Sequence, residues 1–263
     1  MRVLFWRRRK LPVLILHGML GRRGALNITA YAPLIDAAFR AAGRGGHVVL
    51  DIDSPGGSPV QSDLLGARIR MRAEQNGATV TAVIGEVGAS GGYWLACAAD
   101  RILANPMSIA GSIGVVGGGF GFDEAIARLG VRRRLYTAGS NKARMDPFSP
   151  ERPEDVDFVH GLLGDIHERF KAWVRSRRAG RLKGDEAALF DGSFMLGARA
   201  LEAGLIDGLG DVEAVLREIG GDKARRRDFR PRRRGLLARL PRVAAGAMVD
   251  AVAEAGARRG PQL

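Results

Sequence analysis

The chain has 263 residues, of which 46% are apolar, 26% charged and 6% aromatic, with 37 Gly, 11 Pro and a single Cys. That apolar fraction over that length supplies a packed core for one large domain or two small ones, and it excludes a disordered chain, a collagen and a disulfide-stapled miniature. One Cys cannot close an internal disulfide, and with four scattered His it gives no Cys/His metal cluster.

The net charge of +13 is unevenly placed. Residues 1–10 carry five positive charges and no negative one, and residues 223–263 carry twelve against three, so the 212 residues between them hold a net charge of −1. The predicted organisation is a basic tail over 1–10, a domain over 11–222 and a basic tail over 223–263, amphipathic as a helix from Leu236 onward. Basic ends on a neutral body suit attraction to an anionic surface; they do not suit a body built around a phosphate-tracking groove, and no specific nucleic-acid partner is expected. The apolar run Leu11–Leu16 is far short of the roughly 20 residues a membrane span needs, and shorter than the core of about 7–15 residues in a signal peptide. The expectation is a cytoplasmic protein whose basic ends either hold it peripherally at the inner face of the membrane or are solvated tails that keep it soluble.

In chain order, Pro12–His17 reads as a buried strand, Tyr31–Ala42 as a helix stopped by Gly43, and His47–Asp51 as a second strand running into Asp53-Ser-Pro-Gly-Gly57. Val60–Asn76 is a long helix closed by Gly77, followed by a strand over Thr79–Ile84 and a glycine-rich turn over Gly85–Ala89. Ser90 opens a small-residue helix to Ala99; Arg101–Ala104 is a strand, Phe122–Gly130 a helix, and Arg132–Thr137 a fifth strand. A long charged helix spans Pro153–Arg178, with Pro favoured at a first helical position. Shorter helices follow near Asp185–Phe190, Gly197–Ala203 and Asp211–Ile219. Alternating strands and helices through residue 137, then helices, predict an α/β domain with a parallel sheet covered on both faces and a helical C-terminal extension.

Three glycine turns fall at strand ends: Ser54-Pro-Gly-Gly57, Gly88-Ala-Ser-Gly-Gly92 and Gly111-Ser-Ile-Gly114. Ligands of open parallel sheets bind at the carboxyl ends of the strands, so all three can face one cleft. Ser90, between small residues at the start of a helix after a strand, presents its hydroxyl there, where it could equally be a plain helix cap. Gly56-Gly57 allow a backbone N–H to approach a reacting carbonyl oxygen, and the N–H of Gly91 gives a second donor for an oxyanion hole.

A nucleophilic serine needs a base, and two readings separate. Gly88-x-Ser90-x-Gly92 as the elbow of an α/β-hydrolase esterase requires an acid and then a histidine downstream. Only His160 and His167 follow, both within the long charged helix, where a surface or packing role is the simpler account. The second reading uses lysine. Of the five lysines, Lys10 and Lys223 lie in the basic ends, while Lys171 and Lys183 lie in the charged helix and the turn after it. Lys142 follows the predicted fifth strand in the loop Thr137–Pro147, expected on the same sheet edge as the three glycine turns. A free lysine amine is only about one part in 2,500 neutral at pH 7, so a lysine base requires a dry pocket, here with Met145 and Phe148 as candidate walls.

Together Asp53-Ser-Pro-Gly-Gly57, Ala89-Ser-Gly-Gly-Tyr93, Ala98-Ala-Asp100 with Ile102, Gly111-Ser-Ile-Gly-Val115 and Gly139-x-x-Lys142 before Asp146-Pro-Phe148 resemble the signal peptide peptidase A and SohB-like serine peptidases. The resemblance is firm over residues 47–150 and weaker from Pro12 to about Val215. It implies the Clp protease/crotonase fold, Ser90 as nucleophile, Lys142 as general base in a Ser–Lys dyad, Gly57 and Gly91 as oxyanion donors, and Ser112 as the group orienting the lysine amine. It further implies no metal or organic cofactor, extended apolar peptides or signal-peptide remnants as substrates, and a homo-oligomer. No N-terminal membrane anchor is expected from the sequence, which would set the chain apart from many relatives. An acyl-CoA enzyme of the crotonase type would share the fold without needing Ser90 and Lys142 together. An inactive scaffold binding lipid or nucleic acid through the tails is the non-enzymatic alternative.

Overall fold

The computed structural model of the protein describes residues 10–23 and 25–231. Its elements run β1 (Lys10–His17), α1 (Ile28–Ala42), β2 (His47–Ser54), α2 (Pro59–Asn76), β3 (Thr79–Ala89), α3 (Gly91–Ala96), β4 (Arg101–Ala104) and β5 (Ile109–Gly111). Then come α4 (Asp123–Arg128), α5 (Pro153–Arg177), α6 (Glu186–Leu189), β6 (Phe194–Leu196), α7 (Gly197–Glu202), β7 (Gly208–Leu209), α8 (Val212–Gly220) and β8 (Arg225–Phe229).

Helix boundaries follow from side-chain chemistry. The Asn27 side chain accepts the Ala30 N–H at 2.9 Å and starts α1. Ser58 caps α2 with Pro59 at its first position, and Gly77 closes it in the left-handed conformation.

The strands order as β6-β5-β3-β2-β1-β8, with β4 beside β3 and β7 beside β4. Every pairing is parallel except β5 with β6. Because side chains alternate across a strand, Leu14 and Leu16, Leu50 and Ile52, Ala82 and Ile84 form one face, buried under residues of α1, α2, α3 and α5. Val13, Ile15, Val49, Val83 and Leu103 form the other, covered by Val215 and Leu216 of α8.

The structure departs from the sequence expectations in four places. Gly85–Ala89 continues β3 instead of turning, so the strand pairs β4 with its first half and β5 with its second. Arg132–Thr137 is no strand: it is exposed and has no ladder partner among the described residues, and an extended segment without a neighbour gains no ladder bonds. The region after residue 190 is interleaved with short strands instead of being helical throughout. Finally, the basic C-terminal segment begins inside the sheet, since β8 pairs with β1 from Lys10↔Arg225 to Leu14↔Phe229. The helix expected from Leu236 lies outside the described residues, as do residues 1–9. No helix among the described residues is long and apolar enough to cross a membrane.

Candidate active site

β2 and β3 end side by side, with Ser54 paired to Gly88, and the two chains then cross at close range. A Cβ on Gly56, which sits at φ +100, would lie 2.7 Å from the Gly91 nitrogen and 2.8 Å from Ser90 Cβ. Only a glycine admits that contact, which sets the Gly56-Gly57 turn directly against the Ser90-Gly91 turn.

Ser90 stands at the junction of β3 and α3 with φ +51 and ψ −121. For a residue with a Cβ this conformation costs about 1–3 kcal/mol and persists only where neighbours enforce it. The enforcing bonds are visible: the Ser90 N–H donates to Gly111 O at 2.8 Å, and Ser90 O accepts the Trp94 N–H at 3.0 Å. Behind α3, Trp94 stacks on Trp173 at 5.8 Å and meets Phe170 at 5.1 Å, while Trp173 Nε1 donates to Trp94 O at 3.0 Å. α5 thereby braces the short helix that carries the serine.

Gly91 and Gly57 border the same space. Gly91 opens α3, so its N–H has no intrahelical acceptor. Leu20 bridges Gly57: the Leu20 N–H donates to Gly56 O at 2.8 Å, and Leu20 O accepts the Ser58 N–H at 3.0 Å. The peptide joining Gly56 and Gly57 is planar and trans, so fixing Gly56 O toward Leu20 turns the Gly57 N–H away from Leu20.

Ser90, Gly91, Gly57 and Ser112 line one cavity of about 1180 Å³. All three glycine turns contribute to it, as the sequence suggested. Trp94, Phe170, Ile166, Val115 and Val116 add apolar wall, and His167, Asp191 and Ser193 add polar wall. Burial opposes ionisation of Asp191 only weakly: hydrogen bonds from Ser193, led by its backbone N–H at 2.7 Å, hold the carboxyl below its usual range.

The histidines part company. His160 is exposed, whereas His167 reaches the cavity wall, where Nε2 lies 2.9 Å from Ile113 O. A carbonyl can only accept, so Nε2 carries the hydrogen and is committed to the wall; among the described residues His167 bonds to no carboxylate. A serine–histidine–acid relay has no support in this arrangement.

Lys142 sits exposed on the turn of residues 138–145, its N–H donating to Gly139 O at 3.2 Å. It is not among the cavity's lining residues, and its amine bonds to no other described residue. Met145 faces a second hollow of about 830 Å³, and Phe148 packs on Phe122 at 5.6 Å under the Arg133 guanidinium, so neither walls Lys142 from water. The whole stretch 115–154 contains no buried residue, although it carries Val116, Phe120, Leu129, Leu135 and Tyr136. Among the described residues, no three His, Cys, Asp or Glu side chains converge as a metal ligand set.

At the level of sequence, residues 72–224, which include Ser90, Gly91 and Ser112, match the family described as peptidase family S49. The chain belongs to peptidase family S49. Its mixed α/β architecture is the Clp protease/crotonase-like fold of that family. A protein named "Probable protease SohB" from Buchnera aphidicola subsp. Schlechtendalia chinensis is 32% identical over 196 residues, covering 74% of this chain and 63% of that protein. The protein named Na(+)/H(+) antiporter NhaA of Brucella abortus is 45% identical over 240 residues, covering 89% of this chain and 32% of that protein. The chain therefore spans less than two thirds of the length of either relative.

Proposed function

We propose that this S49 domain is a serine endopeptidase that uses Ser90 as nucleophile and Lys142 as general base on extended, apolar peptides. The observation that carries the reading is the convergence of the strained Ser90 with the free-facing amides of Gly57 and Gly91 on one cavity. In the first step, which requires the Lys142 turn to be brought over the cavity, Ser90 Oγ attacks the scissile carbonyl carbon while the lysine amine takes the hydroxyl proton. The carbonyl oxygen becomes an oxyanion held by the Gly57 and Gly91 N–H groups, each such donor being worth about 2.7–4 kcal/mol. The lysine then returns the proton to the leaving amine, the C–N bond breaks and an ester remains on Ser90. Water, deprotonated by the same amine, hydrolyses that ester and restores the serine. Ser112, beside Ser90, is assigned the orientation of the amine.

A lysine accepts a proton only when neutral, and exclusion of water favours the neutral form. Something must therefore cover the exposed turn that carries Lys142, and we assign that cover to further copies of the chain. The apolar side chains left in solvent along 115–154 support a homo-oligomer, since a stretch of this kind marks an interaction surface. We further place the enzyme at a membrane surface, supported by the basic ends and by the 45% identity to proteins named as antiporters. Liposome sedimentation with anionic lipid should show binding that salt removes; its absence would cancel this part alone.

The test of the central reading is hydrolysis of casein or a fluorogenic apolar peptide by three variants. Ser90→Ala and Lys142→Ala should each lose at least about 1,000-fold in kcat, and His167→Ala should keep most of it. A His167→Ala variant that is dead beside an active Lys142→Ala would return the site to the esterase reading.

A further inference from the structure

Ser54 is fully buried at the end of β2, two residues before the glycine pair. Its hydroxyl does two things at once: Oγ donates to Gly18 O at 2.7 Å and accepts the Gly56 N–H at 3.2 Å. Gly18 is itself tied back, its N–H donating to Asp53 O at 2.8 Å.

Gly56, at φ +100, has no side chain to restrict it, so the peptide planes on either side of it can rotate unless bonded elsewhere. The plane after Gly56 is held by Leu20 through Gly56 O. The plane before it ends in the Gly56 N–H, which donates to Ser54 Oγ. Together the two bonds set the direction of the Gly57 N–H. Packing leaves Ser54 no latitude either, because a Cβ on Gly92 would already lie 3.2 Å from Ser54 Cβ.

We infer that the Ser54 hydroxyl is a positioning group for catalysis: by clamping Gly56 between Gly18 and Leu20 it keeps the Gly57 amide aimed at the oxyanion before substrate arrives. This rests on the proposed roles of Ser90 and Gly57. A preorganised donor acts on the charge that develops in the transition state and little on the ground state, so loss of the clamp should separate the two.

The experiment compares the parent and Ser54→Ala against two ligands: a tripeptide aldehyde ending in leucinal, whose hemiacetal oxygen occupies the oxyanion position, and the tripeptide acid of the same sequence, which forms no such adduct. The Ser54→Ala variant should lose about 10- to 100-fold in kcat and a similar factor in aldehyde affinity, with KM and acid affinity changed less than about threefold. Unchanged kcat and aldehyde affinity would overturn the inference. So would equal losses for aldehyde and acid, which would mark Ser54 as a mere support of the cavity. Should Ser54→Ala fail to fold, Ser54→Cys puts a slightly larger, weakly hydrogen-bonding group in the same place and is read by the same split. Ser90→Ala is the control for the underlying reading: if the aldehyde binds it as tightly as the parent, the serine assignment fails whatever the Ser54 variants do.

Discussion

Ser90 and Ser112 leave adjacent strands at the same level of the sheet, because Ala89 of β3 pairs with Gly111 of β5, and both serines then adopt positive φ, 51 and 53. Ser112 is held there by its N–H donating to Ser193 O at 2.8 Å, and its own carbonyl accepts the Gly114 N–H at 2.9 Å. Its place in the fold is thus secured by backbone bonds, leaving the hydroxyl for the cavity. Ser112→Ala should therefore melt within about 1 kcal/mol of the parent while kcat falls about 10-fold or more with KM little changed. Equal kcat in the two proteins would remove Ser112 from the site.

Gly56→Ala probes the crossing of the two turns. A methyl group there would meet Gly91 and Ser90 inside 3 Å at a backbone angle hostile to alanine. The expected result is a loss of at least about 100-fold in activity and about 1–3 kcal/mol in stability, read from peptide hydrolysis and urea denaturation.

Arg178, 1% exposed, is the anchor between the end of α5 and the turn before β7: its guanidinium donates to Gly204 O and, through Nη1 and Nη2, to both Asp207 oxygens at 2.7 and 2.9 Å. Burial pushes the Asp207 carboxyl upward, but Arg178 and the Ile102 N–H outweigh it and hold the group below its usual range. A lowered carboxyl binds fewer protons folded than unfolded. Its stabilisation is complete above an unfolded value of about 3.9 and is lost as pH falls through the lower folded value. Arg178→Ala should cost about 3–5 kcal/mol at pH 7. Asp207→Asn should also be destabilised at pH 7, with the gap from the parent closing as melts are taken below pH 4.

At the opposite edge of the sheet, His17 Nε2 lies 3.0 Å from Asp51 Oδ1, and Asp51 is also 3.3 Å from Arg226 of β8. The Asp51 hydrogen bond raises the His17 imidazole above its ordinary value despite partial burial. The stabilisation is therefore full below about pH 6.5 and fades as pH rises through the raised value. With the ring 47% exposed, the effect is modest, below about 1 kcal/mol. Melting His17→Gln beside the parent should show a deficit at pH 5.5 that vanishes by pH 9; a constant deficit would contradict the ion pair.

The central architecture was legible because its signals are local. β1, β2, α1 and α2 announce themselves by apolar spacing and by the stops at Gly43 and Gly77, and the three glycine turns carry their own geometry. β6 and β7 are too short for any period to show. β8 hides in the basic run Arg225-Arg226-Arg227, a composition that resembles a tail; its pairing is supplied by β1 and by the Asp51 carboxylate, which are distant in sequence. Arg132–Thr137 erred the other way, because strand propensity without a neighbour makes no strand. At the candidate site, the glycine turns that bring Ser90, Gly57 and Gly91 to one cavity could be read from pattern alone, whereas the turn that carries Lys142 lies outside that cavity's lining. The duty of Ser54 depends on Gly18, and the presence of His167 on the cavity wall depends on Ile113, so both are visible only once the chain is folded.

The most direct measurement is the intact mass of the protein after treatment with a peptidyl acylating inhibitor, followed by mapping of the adduct. One adduct on Ser90, absent from Ser90→Ala and formed at least about 100-fold more slowly by Lys142→Ala, is the predicted result. An adduct that persists in Ser90→Ala, or one that forms on Ser90 at the parent's rate without Lys142, would contradict the account.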